Sequence, residues 1–142
     1  MTGYYISNNP ERWIKEMTVL VDGCTYYFSE FLMGCCEIFS TVLYEKYGYI
    51  PYQAEGGSSV HCFCIVEIEN DVYYIDVRGI TKSAADIADN RFFTFSEQDV
   101  LSAKRQLLDT PEEEYEEYFK AARILIENNP DIYCIESVTN KV

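Results

Sequence analysis

Three residues of the types used in thiol catalysis occur in order in the middle of the chain. Cys36 lies at the predicted start of a helix, His61 opens a predicted strand, and Asp76 lies on the next predicted strand. In such a set a thiolate attacks a carbonyl carbon, an imidazole moves the proton and a carboxylate orients the imidazole. The order of these residues therefore predicts a Cys-His-Asp site, but it identifies no substrate.

Two adjacent cysteines are candidates for the nucleophile. A helix start supplies partial positive charge and free backbone N–H groups, which favour a thiolate and can bind an oxyanion. Cys36 is preferred to Cys35 because it stands three residues before Phe39, on the predicted buried face. Gly34 would let a substrate backbone approach closely, so Gly34 and Cys35 are predicted to line the substrate site. The alternative is that both cysteines fill the core.

His61 is the only histidine in the chain. Histidine is the side chain whose ordinary pKa, about 6.5, suits a base near neutral pH. A single histidine on an apolar strand can equally be a buried core residue with satisfied hydrogen bonds. The sequence leaves these two interpretations open.

The predicted strand pairing argues against a direct contact between the histidine and the aspartate. If residues 70–71 form a two-residue turn, Asp76 pairs with Ile65, and Ile65 lies roughly 13 Å along the strand from His61. A hydrogen bond between them would then need a bulge or a wider loop. Arg78 lies nearer to His61 in this register and is predicted to bind a substrate carboxylate instead.

Patterns of apolar residues, caps and turn residues predict an α+β fold in a single domain, residues 1–142. N-terminal helices are expected to pack on a small antiparallel sheet with a central hairpin, and C-terminal helices to cover one side. The predicted elements are a helix over 9–22, a helix over 35–47, a hairpin of strands 60–69 and 72–78, a short helix over 82–90, a strand over 91–95, a helix from Ser96 to Leu108, a helix opened by a capping box at 110–113, and a strand over 131–138.

Charge and cysteine content exclude several classes of function. Lysine and arginine total 11 against 24 acidic residues, a net charge of −13, which argues against direct binding of nucleic acid phosphates. The six cysteines form no Cys-x-x-Cys pair, so no metal site and no cofactor are predicted. The start of the chain lacks the features of a signal peptide, and no apolar run reaches the ~20 residues of a membrane span. We therefore expect a cytoplasmic protein with reduced thiols and no membrane contact.

The motifs in the middle third of the chain resemble the papain-like and transglutaminase-like cysteine enzyme superfamily, in particular its small bacterial and phage members. The resemblance rests on Gly34–Phe39, Leu43, Tyr47–Gly48, Pro51, His61 and Tyr73–Gly79. It implies a helix packed against an antiparallel sheet, with Cys36 as nucleophile, His61 as base and Asp76 as the orienting group. It also implies cleavage or exchange of amide bonds, as in peptidases, deamidases, amidases and acyltransferases. Cys62 departs from the pattern, which commonly has a small residue there.

Two functions of different classes follow. The first is a thiol hydrolase or acyltransferase that acts on an amide or ester of a protein or peptide. The second is a catalytically inactive acidic binding protein, such as a phage or mobile-element inhibitor, that engages a basic protein or imitates nucleic acid. The order of Cys, His and Asp favours the first, whereas the glutamates of residues 112–117 and the net charge favour the second.

Overall fold

The computed structural model describes residues 18–32, 34–57, 59–88 and 95–136, and these form an α+β fold, as the sequence predicts. Short strands and helices surround two 12-residue helices and one long hairpin. The elements are β1 (Thr18–Val21), β2 (Cys24–Tyr27), α1 (Phe28–Leu32), α2 (Cys36–Tyr47), β3 (Ile50–Gly56), β4 (Ser59–Ile68), β5 (Asp71–Asp76), β6 (Gly79–Thr81), α3 (Ala84–Ile87), α4 (Glu97–Leu101), β7 (Lys104–Arg105), a 3-10 helix (Glu112–Glu114), α5 (Glu116–Glu127) and α6 (Pro130–Tyr133).

The predicted helix over 35–47 is confirmed as α2. It ends at Gly48, whose φ of 78° is in the left-handed region that glycine enters without strain, and whose N–H donates to the Tyr44 carbonyl at 2.8 Å. Ile38, Phe39 and Leu43 are each at most 1% exposed. The helix is buried because it lies between the sheet strands β3, β4 and β5 on one side and α5 on the other.

The main sheet is antiparallel, with five strands in the order β6-β5-β4-β3-β7. Its central strand β4 pairs with β5 through a two-residue turn, so the predicted central hairpin is confirmed. A second, two-stranded sheet joins β1 to β2. Strand β4 is the central strand of the sheet and packs against α2, so His61 lies on a rigid element next to both α2 and β5.

The predicted register of the hairpin is wrong. The turn is Glu69–Asn70, with Glu69 at a φ of 57°, and not residues 70–71. Ile68 therefore pairs with Asp71 and Cys64 with Ile75. This pairing brings Asp76 two positions closer to His61 than the predicted register does. No bulge is needed for the two side chains to meet.

The predicted N-terminal helix is wrong over residues 18–22, and residues 9–17 lie outside the described part of the chain. Val19 and Val21 are buried while Leu20 is 68% exposed, which is the alternation of a strand. Asp22 and Gly23 both have positive φ, at 50° and 83°, and join β1 to β2 as a two-residue hairpin turn. Residues 18–27 therefore form a small hairpin that packs against α5, while the other predicted N-terminal helix, α2, packs on the sheet as expected.

Several predicted elements after residue 80 need correction. Ser96 caps α4 as predicted, but the helix ends at Leu101, and 104–105 form the edge strand β7. The predicted helix start at 110–113 is a 3-10 turn, and α5 begins only at Glu116. Residues 130–133 form the helix α6 in place of the predicted strand, because Pro130 favours a first helical position. The predicted strand over 91–95 lies outside the described residues except for Phe95, which belongs to no strand.

One hydrophobic core joins these layers, with members from Val19 in β1 to Ile135 after α6. The C-terminal helix α5 packs on α2 and β1, and α6 packs on β6. The site residues at the start of α2 are therefore fixed from both sides. Among the described helices, none has both the length and the apolar character that crossing a bilayer requires.

Candidate active site

Cys36 is the first residue of α2 and contacts the central strand β4. The Cys62 backbone N–H donates to Cys36 Sγ at 3.3 Å, so the sulfur rests directly on β4. The Cys36 side chain is 7% exposed, and the residue before it is half-buried. In a helix the first N–H groups have no acceptor within the helix, so the Cys36 N–H lies beside its own sulfur as a donor for an anion.

Hydrogen bonds hold the Cys36 sulfur as a thiolate. A hydrogen bond from the Cys62 side chain contributes most, and a hydrogen bond and positive charge from His61 add to it. Together they outweigh burial, which opposes ionisation, and lower the pKa of Cys36 from 9.0 to about 4. The same contact with Cys36, with burial, raises the pKa of Cys62 above its ordinary range, so Cys62 is the proton donor of the pair. Cys36 is therefore an ionised sulfur at neutral pH.

Cys35 has a different environment. Burial, followed by the charges of Glu37 and Glu30, raises the pKa of Cys35 to about 11. Its side chain is partly buried at the N-terminal boundary of α2. At neutral pH Cys35 is a neutral thiol, so the geometry favours Cys36 as the reactive sulfur.

His61 is completely buried in β4 and its ring is held between two aromatic rings. The ring of Phe63 stacks at 5.9 Å and that of Phe95 lies at 6.1 Å, measured between centroids. Phe95 approaches so closely that a Cβ on Gly56 would lie 2.2 Å from its ring. A glycine at position 56 is therefore required for Phe95 to pack against His61.

Asp76 accepts hydrogen bonds from both the histidine and an arginine. His61 Nε2 lies 2.8 Å from Asp76 Oδ2, and Arg78 Nη2 donates to the same oxygen at 2.9 Å. The Arg78 backbone N–H donates to Asp76 Oδ1 at 2.8 Å. Burial raises the pKa of Asp76, but the charge of Arg78 and the hydrogen bond to His61 outweigh it and lower that pKa to about 2. Asp76 is therefore a carboxylate throughout the ordinary pH range.

The position of Asp76 determines which nitrogen of the histidine can do chemistry. Since Nε2 is engaged with Asp76, Nδ1 is the ring nitrogen left to exchange a proton with Cys36. Burial lowers the pKa of His61, but hydrogen bonds to Asp76 and Cys36 outweigh it, so the pKa lies above 6.5. His61 thus interacts electrostatically with Cys36, whose pKa it helps to lower, and its Nε2 lies 2.8 Å from Asp76 Oδ2.

Arg78 does not lie where a substrate carboxylate could reach it. The side chain is 2% exposed and its guanidinium is ion-paired with Asp76. The predicted role as a substrate carboxylate ligand followed from the wrong register. In the structure Arg78 instead neutralises and positions the buried Asp76.

Two tyrosines fix the turn that carries Arg78. Tyr133 is fully buried in α6, and its hydroxyl donates to the Val77 carbonyl at 2.6 Å. The Tyr49 hydroxyl donates to the Tyr133 carbonyl at 2.9 Å and accepts from the Ile135 N–H at 2.7 Å. The C-terminal segment therefore holds residues 77–78 from outside the catalytic motif, a role that no pattern in the sequence indicated.

Gly34 is exposed beside the two cysteines, as expected of a residue that lines a substrate site. A Cβ placed on it would meet only the Glu30 carbonyl oxygen, at an ordinary 3.6 Å. Packing therefore does not require glycine at this position.

Cys62 was missed as a functional residue, although its place directly after the only histidine was a signal for it.

Among the described residues, no group of three or more His, Cys, Asp and Glu side chains could hold a metal ion. No protein-family model, no curated protein and no solved structure matches this chain. The function must therefore be argued from the geometry of the site itself.

Proposed function

We propose that this chain is a papain-like thiol hydrolase or acyltransferase that acts on an amide or ester bond of a protein or peptide. Cys36 is the nucleophile, His61 the acid and base, and Asp76 the group that orients His61. The proposal is supported by the coupling of all three residues: His61 helps to lower the pKa of Cys36 to about 4, and His61 Nε2 lies 2.8 Å from Asp76 Oδ2. Structural cysteines buried in apolar surroundings have raised pKa values, whereas this one is lowered.

In the acylation step the Cys36 thiolate attacks the carbonyl carbon of the substrate. The developing oxyanion lies next to the N-terminus of α2, where the Cys36 N–H and the helix dipole favour negative charge. The His61 imidazolium gives its Nδ1 proton to the leaving amine or alcohol as the tetrahedral intermediate collapses. The product is a thioester on Cys36 and a neutral His61.

In the second step His61 acts as a base. It takes a proton from water, or from an amine acceptor, which attacks the thioester carbonyl and releases Cys36 as a thiolate. Water gives hydrolysis and an amine gives acyl transfer. Asp76 remains ionised in both steps because its pKa is about 2, so it supports the imidazolium each time His61 is charged.

The proposed setting is the cytoplasm, where reduced thiols persist. All six cysteines carry free thiols in the structure. A net charge of −13 favours a basic peptide segment as substrate or partner. Gly34, which is exposed, and Cys35, which is partly buried, directly precede Cys36 and are the proposed substrate contacts.

The test compares two adjacent cysteines. The wild-type chain should be alkylated at Cys36 by a thiol-reactive electrophile such as a peptide vinyl sulfone, and should release the leaving group from activated thioesters or amides. Cys36→Ser should lower the rate by on the order of 10⁵-fold, whereas Cys35→Ser, which alters only a proposed substrate contact, should keep the label on Cys36 and lose far less of the rate. Cys36 that is inert in the folded chain, or labelling that follows Cys35, would overturn the proposal.

An acidic surface supports the second candidate, a binding protein without catalysis. Glu112, Glu113 and Glu114 are exposed on the 3-10 helix, and Glu116 and Glu117 continue the run into α5. If Cys36 is inert and the chain captures one basic protein through these glutamates, this function replaces the enzymatic one. Loss of that capture on charge reversal of the glutamates identifies the surface.

A further inference from the structure

The closest partner of the reactive sulfur on β4 is a second cysteine. The Cys62 backbone N–H donates to Cys36 Sγ at 3.3 Å, which places the reactive sulfur against the backbone of Cys62. Cys36 begins α2 and Cys62 lies in the central strand, so both are held on rigid elements that pack together. Neither hydrolysis nor acyl transfer uses the sulfur of Cys62.

We propose that Cys36 and Cys62 form a reversible disulfide when the protein meets a hydroperoxide. This modification would inactivate the site, because the sulfur of Cys36 in a disulfide is no longer a thiolate and cannot attack a carbonyl. It requires only the reactive Cys36 sulfur and an adjacent thiol, so it does not depend on hydrolase or transferase activity.

The chemistry balances in two steps. First, the Cys36 thiolate attacks the outer oxygen of the hydroperoxide, giving a sulfenic acid after protonation and an alcohol, or water from hydrogen peroxide. Second, the Cys62 sulfur attacks the sulfenic sulfur, which forms the S–S bond and releases water that includes the Cys62 proton. A cellular dithiol restores both thiols by exchange and becomes a disulfide itself.

The environment of Cys62 suits it to the second step. Its proton is held mainly by the Cys36 thiolate, and the negative charge of Cys36 disappears when the sulfur becomes a sulfenic acid. An S–S bond is about 2.0 Å long, so the two sulfurs must approach each other to form it. Cys36 Sγ already accepts a hydrogen bond from the Cys62 backbone N–H, so the two residues are direct neighbours.

The other nearby cysteines are less suited as partners. Cys64, two residues along the same strand, is fully buried and its Sγ donates to the Ser40 carbonyl at 3.4 Å. Cys35 lies next to Cys36 in the chain but faces Glu30 and Glu37. A small hydroperoxide can reach Cys36 because that side chain keeps 7% of its surface exposed.

The experiment maps the disulfide in the full chain. The protein is treated with a stoichiometric amount of hydrogen peroxide, free thiols are blocked with N-ethylmaleimide, and tryptic peptides are analysed without reduction. Lys46 lies between Cys36 and Cys62, so the two peptides remain joined only through a disulfide. We expect a linked pair that a dithiol separates, with electrophile labelling of Cys36 lost and then recovered in parallel.

Variants assign the two sulfurs. Cys35→Ser and Cys64→Ser should form the linked pair to the same extent as the wild type. Cys62→Ser should lose it completely, accumulate a Cys36 sulfenic acid that dimedone traps, and proceed to a sulfinic acid that dithiols do not reverse. If Cys62→Ser does not fold, the wild-type map still decides the question.

Two results would overturn the proposal: a Cys36 sulfinic acid with Cys62 still a free thiol in the wild type, or a disulfide from Cys36 to another cysteine. The outcome is separable from the proposed function, since the disulfide is measured without substrate. A linked Cys36–Cys62 pair in a chain that turns over no acyl substrate supports this inference and removes only the enzymatic one.

Discussion

The N-terminus of α2 has an outer side and an inner side, and each side holds a cysteine. On the outer side Cys35 lies beside Glu30 and Glu37, and its pKa is raised to about 11. On the inner side Cys36 lies against β4 and His61, and its pKa is lowered to about 4. The two residues are adjacent and share one helix terminus. The helix dipole therefore cannot explain the difference, and the tertiary neighbours must.

The comparison teaches where the reactivity comes from. The inner sulfur receives hydrogen bonds from β4 and a positive charge from His61, whose own protonated form is stabilised by Asp76. The pKa of the outer sulfur is instead raised by burial and by neighbouring negative charges. Cys36 becomes a nucleophile because hydrogen bonds from β4 and the charge of His61, which Asp76 stabilises, lower its pKa. Substitutions can remove these interactions one at a time.

The largest effect should come from Asp76→Asn, which removes the carboxylate from the inner side. The amide no longer favours the imidazolium, and Arg78 is left buried without its counter-ion. We expect acyl turnover to fall by on the order of 10⁴-fold and the free energy of unfolding by about 3–5 kcal/mol. Denaturant unfolding and acyl-substrate kinetics measure the two losses, while labelling of Cys35 should be unchanged.

The pH dependence of unfolding isolates the contribution of this carboxylate. Since the pKa of Asp76 falls from 3.8 to about 2 on folding, its ionised form stabilises the fold above about pH 4. That stabilisation, about 2 kcal/mol, is lost as the pH falls through about 2, and Asp76→Asn should lack this loss. Asp86→Asn is the matched control, because the Asp86 carboxylate accepts from Thr81 instead of His61. Equal acid sensitivity in both variants would contradict the assignment.

Local sequence patterns predicted the helix and the strands around Cys36 but not the side-chain contacts between them. The helix α2 followed from its apolar spacing and from Gly48, and the β4–β5 hairpin from its β-branched and aromatic runs. The register did not follow, because 69–70 and 70–71 are both plausible turns in the sequence. The choice between them depends on how β4 packs beneath α2, which is tertiary information.

The remaining errors have the same origin. Leu20 and Val21 fit a helix as well as a strand by spacing alone, and the Asp22–Gly23 turn decided in favour of the hairpin. The contact of Cys62 with Cys36 joins residues 26 positions apart, and Tyr133 reaches Val77 from 56 positions away. The spacing of apolar residues in one sequence predicts helices and strands but not contacts between residues so far apart in the chain.

A smaller effect is expected from His61→Ala, which removes one of the supports of the Cys36 thiolate and leaves the Cys62 N–H in place. Iodoacetamide alkylation of the wild type should follow a midpoint near pH 4 at Cys36. The variant should shift that midpoint upward by roughly 1–3 pH units, the range for loss of a neighbouring opposite charge. Mass spectrometry of both cysteines in one sample supplies the control, since Cys35 should keep its value. An unchanged Cys36 midpoint would show that His61 does not act on the sulfur.

The smallest effect tests the outer side through Glu37→Gln. Loss of this negative charge should lower the pKa of Cys35 from about 11 by less than about one pH unit, because Glu37 is only partly buried and solvent screens its charge. The pKa of Glu37 is raised by burial and by the Cys36 charge, so Glu37 is mostly protonated near pH 4. Because the Cys36 midpoint lies near pH 4, the substitution should hardly move it. Alkylation rates of Cys35 between about pH 8 and 10 report the shift, since they follow the thiolate fraction. Glu45→Gln, an exposed change on the same helix paired with Arg123, should alter neither thiol. Equal shifts at both cysteines would mean that the two sides share one electrostatic environment.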